Sequence, residues 1–172
     1  MKVFNRIIVI LFILTLFVSI NAESASAATY VDKDFATLAK KGKLKGISGN
    51  IGMTYGSLKK LGKGSIAPSE AFLFHVTKKA DYAFFYENSY TKIGTSQKVA
   101  LIQREIPGYI TSKQMQKYFG KPVAKNAYKA GKYYIRIHNN NPSKGKVSVQ
   151  VGTKRGINSW YTSDEDGIYH IK

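Results

Sequence analysis

Apolar residues are nearly continuous and uncharged from Ile7 to Ile20, and from Gly46 onwards they recur either at helical spacing or in alternation with polar ones. Two stretches carry helical spacing with caps: Thr54-Tyr55-Gly56-Ser57-Leu58-Lys59-Lys60-Leu61-Gly62-Lys63 and Thr111-Ser112-Lys113-Gln114-Met115-Gln116-Lys117-Tyr118-Phe119-Gly120-Lys121-Pro122. In each, a Thr stands where its hydroxyl accepts an orphan amide, Leu58 and Leu61 or Met115 and Phe119 face inward, and a Gly closes the C-terminus. Period-two alternation predicts strands at 71–76, 82–86 and 98–106 after the first helix. After the second it predicts strands at 133–138 and 146–151, joined by a turn through Asn139, Asn140, Asn141, Pro142, Ser143 and Gly145. Ser159 to Thr162 with Gly167 to Ile171 reads as an edge strand or as an irregular tail. Phe35, Leu38 and Ala39 mark one amphipathic turn, of helix or of tail. The order helix, strands, helix, strands predicts an α+β domain. Two helix-then-antiparallel-strands repeats form its sheet, and the helices lie on one face.

The first apolar run belongs to a different kind of segment. Lys2 and Arg6 precede it, small residues follow it, and Ala25-Ser26-Ala27 fits the small-x-small cleavage rule, so residues 1–27 predict a signal peptide with the mature chain starting at Ala28. Ala22 offers an upstream alternative. The run is shorter than the ~20 residues that span a bilayer, which disfavours an uncleaved anchor. With no cysteine anywhere, neither a lipid-tethered N-terminus nor a disulfide-stapled domain is available. Export by a Gram-positive bacterium fits, to the medium or to the cell wall. About 145 residues remain, enough for one domain with its own core. A basic lead-in spans 28–45, and a single domain spans 46–172, with repeat units at about 46–106 and 107–153 and a C-terminal tail at 154–172.

Charge changes the picture most. Between Phe35 and Ser163 there are 23 Lys or Arg residues against four acids, Glu70, Asp81, Glu87 and Glu105. Loss of Lys2, Arg6 and Glu23 with the leader leaves 25 bases and 9 acids, a mature charge of +16. Such a field attracts polyanions over about a Debye length, ~8–10 Å at physiological salt. A hydrophobic content of 44% with abundant Tyr and Phe argues against disorder despite that charge.

A helix ending in Leu61-Gly62-Lys63 or Phe119-Gly120-Lys121-Pro122, trailed by aromatic strands and present twice, resembles the tandem αβ repeat of beta-lactamase-inhibitor-protein-like domains. That group includes exported proteins of Bacillus. The resemblance covers roughly Gly46 to Thr153, with Gly64 in the first copy where the second has Pro122. It implies an inhibitor or immunity-type partner of an exported enzyme. Lys113 to Lys121, the Tyr133-Tyr134 strand and Val147 to Thr153 are similar, more loosely, to staphylococcal immunodominant surface antigen B, which implies nucleic-acid binding. Neither resemblance implies a catalytic residue.

Catalytic chemistry finds little in the residues themselves. There is no Cys nucleophile, and His75, His138 and His170 lie far apart, outside any HExxH or HxH arrangement. Asp164-Glu165-Asp166 lacks the spaced ligands and closing Glu of a calcium loop and reads as a solvated turn. Only chance carboxylate pairs such as Glu70 with Glu87 remain for glycosidase work. No nucleophile elbow or phosphate-binding glycine loop occurs, and Gly49-Asn50-Ile51-Gly52 reads as turn chemistry. No metal site, cofactor or enzymatic activity is expected.

Binding has more support. Lys59, Lys60 and Lys63 surround the end of the first helix, and Lys113, Lys117, Lys121 and Lys125 recur every fourth residue at the second. Lysines at helix ends also complement the dipole, but that does not account for the scarcity of acids around them. Tyr82, Phe84 and Tyr86 alternate onto one face and Phe85 onto the other; with Tyr133 and Arg136, an open sheet face would set aromatics beside cations. Lysine outnumbers arginine, which suits point-charge attraction to phosphates over the reading of bases. The expected function is that of a secreted, non-enzymatic protein that associates with anionic envelope polymers of the teichoic-acid kind. The alternatives are an exported protein as partner and sequence-independent DNA or RNA binding.

Overall fold

The computed structural model describes residues 27–87, 89–139, 145–160 and 170–172. The predicted leader up to Ser26, the turn residues Asn140 to Ser143, the piece from Tyr161 and the Asp164-Glu165-Asp166 cluster lie outside the described residues. Among the described residues no helix is long and apolar enough to cross a membrane.

The fold is α+β. Seven antiparallel strands, β1 (Ser65–Pro68), β2 (Phe72–Val76), β3 (Asp81–Phe85), β4 (Leu101–Pro107), β5 (Ala127–Ala130), β6 (Tyr133–His138) and β7 (Lys146–Gly152), form one sheet. Its order is β1-β2-β3-β4-β7-β6-β5. Two meanders thus meet at the β4–β7 pair, which runs in register from Leu101 opposite Gly152 to Pro107 opposite Lys146.

Alternation along the strands builds two cores. On one face Leu73, Tyr82, Phe84, Ile102, Ile135, Val147, Val149 and Val151 are buried beneath helices α1 (Ala27–Tyr30), α2 (Lys33–Lys40), α3 (Tyr55–Lys59) and α4 (Ser112–Phe119). On the other, Phe72, Phe74, Ala83, Leu101 and Ala127 pack with Ile157 of α5 (Lys154–Ser159) and with Ile171. The sequence places all helices on one face, and α5 departs from that. Thr153 caps it by accepting from the Gly156 amide at 2.9 Å, and Ile157 turns onto the second face. Ser159 therefore ends a helix and begins no strand.

The stretch read as a basic lead-in is built into the first core. Asp32 caps α2 by accepting from the Phe35 amide at 2.8 Å and pairs with the Lys45 ammonium. The spacing of Phe35 and Ala39 then puts both on the face that meets the sheet, fully buried with Val31 and Leu44. Burial of a side chain the size of Phe35 or Leu44 contributes roughly 1.5–3 kcal/mol. Both predicted threonine caps form: Thr54 accepts from Ser57, and Thr111 makes a full capping box with Gln114. Their C-termini differ. Gly120 closes α4 at φ 76°, whereas α3 ends at Lys59, before Gly62, and leaves Leu61 51% exposed instead of inward.

Candidate functional site: a basic aromatic cleft at one end of the sheet

Four strand ends converge at one end of the sheet. Ala83 lies opposite Leu101, Leu101 opposite Gly152, and Gly152 opposite Tyr134, so the end of β3, the start of β4, the end of β7 and the start of β6 are neighbours. Two loops are pinned above them. The Gly52 amide donates to the Val99 carbonyl at 2.9 Å, and the Thr153 amide donates to the Ala100 carbonyl at 3.0 Å. Gly131, at φ 62°, makes the β5–β6 turn that presents Lys132.

Between these parts lies a cleft of ≈ 630 Å³, well inside the ~300–1,000 Å³ range of small-ligand sites. Ile51, Val99 and Ala100 are its buried floor, half-buried Phe85, Tyr133 and Tyr134 its walls, and the exposed Lys98, Lys132 and Lys154 its rim. Among the described residues no carboxylate lines it. The Arg155 guanidinium stands 4.1 Å from the Phe85 ring centre, and the Lys132 ammonium stands 5.3 Å from that of Tyr133. Each such contact contributes ~0.5–1 kcal/mol at an exposed site and holds a cation beside an aromatic face. Chemically, the cleft offers flat apolar faces for a ring and mobile point charges for an anionic group.

Of the aromatic platform expected from the sequence, only Tyr133 takes part. Tyr82 and Phe84 are buried in the first core, because that face of the sheet is covered and not open. The Tyr82 hydroxyl donates to the Ser48 carbonyl, and burial pushes its phenol pKa up. Tyr86 is half-buried, donates to the Ser69 carbonyl and meets the Tyr90 ring at a tilt of 51°, with centres 4.7 Å apart. Arg136, expected on the anion-binding surface, is 1% exposed. Its strand position places it on the second face, in register with Gln150 and Ala127, where solvent does not reach it.

The predicted lysines are exposed but form two separate groups. Lys59, Lys60 and Lys63 follow α3. Lys113 and Lys117 share a side of α4, while Lys121 and Lys125 lie beyond Gly120, where the four-residue spacing no longer means a common face. The residues that sequence reasoning passed over, Phe85, Lys98, Lys132 and Lys154, are scattered along the chain and meet only through the strand register. Phe85 carried the one available signal, since alternation sets it apart from its aromatic neighbours. Among the described residues no group of three or more His, Asp or Glu is placed to hold a metal ion. Compared with known proteins, the chain matches no family model, no curated protein and no solved structure.

Proposed function

We propose that this protein is an exported, non-enzymatic binding protein whose basic aromatic cleft holds anionic cell-envelope polymers of the teichoic-acid kind. The observation that carries the reading is the cleft itself, with Phe85, Tyr133 and Tyr134 as ring faces, Lys98, Lys132 and Lys154 around them and, among the described residues, no acid in the lining. A chain of sugars or polyols joined by phosphates presents alternating apolar C–H faces and single negative charges, and lysine ammoniums answer such charges as points. The predicted leader supplies the setting, since outside the cell wall phosphates are the abundant polyanion.

A pull-down on purified walls across a salt series tests it. Retention at low salt, elution at high salt, and loss of retention on walls stripped of anionic polymer are expected. Equal retention by stripped walls would overturn the reading. The same surface suits single-stranded nucleic acid, where bases stack on aromatics beside cations; a DNA or RNA shift at low salt with no wall retention would put that reading in its place. A stoichiometric complex with an exported protein that survives moderate salt would do the same for the inhibitor reading.

With it we keep the reading of two related helix-then-strands units. What supports it is that each half has a Thr-capped helix before its strands, and that the order β2-β3-β4-β7-β6-β5 is symmetric about the β4–β7 pair. The extra strand β1 and the shorter α3 mark the first unit as the more altered. Superposition of α3-β2-β3-β4 on α4-β5-β6-β7 in an experimental structure tests it, and failure of the helices to coincide would rule it out.

A further inference from the structure

A second cleft, on separate residues, lies where α3 runs into the sheet. It measures ≈ 260 Å³, below the ~300 Å³ at which pockets for drug-sized ligands begin. His75 of β2 lines it and is only 2% exposed, yet neither Nδ1 nor Nε2 has a hydrogen-bond partner of good geometry. Buried polar side chains nearly always have a well-aligned partner, so an imidazole in a cleft with only the Gly62 carbonyl nearby calls for one.

The surroundings say what kind. Lys63, Lys78 and Lys79 line the cleft, Lys59 acts on His75 from α3, and among the described residues no carboxylate lines it. Asp81 is next in sequence to Tyr82, which also lines the cleft, but alternation points it to the opposite face of the sheet. Around the ring itself stand Tyr55, with centres 5.5 Å apart, and Tyr82, at 6.4 Å, the latter with its hydroxyl proton already given to Ser48. The Gly62 carbonyl near the ring favours the imidazolium, and burial opposes it more strongly, so the histidine pKa is lowered. A partner that supplies acceptor oxygens to the imidazole and negative charge to the lysines removes both penalties at once.

We infer that this cleft is a binding site for a small oxyanion, a phosphate group, with His75 as its interior donor and Lys63, Lys78 and Lys79 as its charged wall. The Gly62-Lys63-Gly64 segment lies over the imidazole: a Cβ at Gly64 would stand 2.8 Å from Nε2. That segment carries no side chain on either side of Lys63. The site shares no lining residue with the aromatic cleft, so each stands or falls without the other.

The test follows the imidazole resonances of the full mature chain by NMR while inorganic phosphate or a short poly(glycerol phosphate) is titrated in. Saturable shifts at His75 with a raised pKa, and none of like size at His138 or His170, are expected. His75→Phe, which keeps a ring between Tyr55 and Tyr82, should weaken phosphate at least about tenfold, as loss of a charge-assisted hydrogen bond implies. A stronger response to the oligomer than to inorganic phosphate identifies a polymer as the source; the reverse identifies the free ion. An unshifted His75 in the native chain, or shifts confined to surface lysines, overturns the inference whether or not the variant folds.

Discussion

Gly64 and His75 are set so closely that each limits what the other can be. A Cβ at Gly64 would come within 2.5 Å of the Val76 carbonyl oxygen and 2.6 Å of the His75 Cε1, and neither the strand backbone nor a buried ring can give way cheaply. Gly64→Ala should therefore cost ~1–3 kcal/mol, read as a lower urea midpoint with an unchanged slope. His75 itself adds a pH dependence of definite sign. Burial lowers its pKa in the folded chain, so between that value and the ordinary histidine pKa of ~6.5 the unfolded chain binds more protons. Its contribution is complete above ~6.5 and is lost as pH falls through that value toward the folded one. Urea melts at pH ~7.5 and ~5.5 should show the native chain losing stability on acidification and His75→Phe losing less of it. An equal loss in both would remove His75 as the cause. None of this was legible in the sequence, where His75 is one alternating strand residue among others.

At the scale of elements, the caps were legible and the ends were not. A Thr before an apolar repeat is a local signal, and Thr54 and Thr111 both act as read. Thr111 does more, since its amide and hydroxyl both donate to Gln114 while its oxygen accepts from the Gln114 amide. Thr111→Ala should cost ~1 kcal/mol in chemical denaturation, and Thr111→Ser should restore most of it. No loss in the alanine variant would mean that Met115 and Phe119 packing alone holds α4. The strands that went unread, β1 and β5, are the two edges, four residues each. β1 is exposed at three of its four positions, so no burial pattern is imposed on it, whereas β5 is buried at three of four and is too short for alternation to stand out. The helix α2 was half-read for a related reason. Its lysines hide a short apolar face, and only the sheet beneath Phe35 and Ala39 makes it part of the core.

For the whole molecule, charge and fold pull in opposite directions. The alternation of the strands gave the class of fold, but which side chains share a cleft depends on strand order, and the order brings Lys98, Lys132 and Lys154 together from a loop, a turn and a helix start far apart in sequence. The excess of cations that names a polyanion as partner also sets those cations against one another in the folded state. Raising ionic strength from ~0.1 M to ~1 M shortens the Debye length from about 10 Å to about 3 Å, which relieves that repulsion and weakens attraction to a polymer by the same screening. With sodium chloride as the only variable, the melting temperature of the free chain should rise by a few degrees, since a gain of ~1 kcal/mol corresponds to about 2–8 °C in a domain of this size. Over the same series, the logarithm of the affinity for an anionic polymer should fall linearly with the logarithm of salt, with a slope set by the number of phosphates neutralised. Lys98→Gln, Lys132→Gln and Lys154→Gln together should lower that slope by up to about three while raising the low-salt melting temperature. Tyr133→Ala, in contrast, should lower affinity without changing the slope, because it removes a ring face and no charge. Opposite responses of stability and affinity to the lysine changes are the mark of cations held for a ligand and not for the fold. If the triple variant melts lower at low salt, those lysines serve the fold, and the cleft loses its claim.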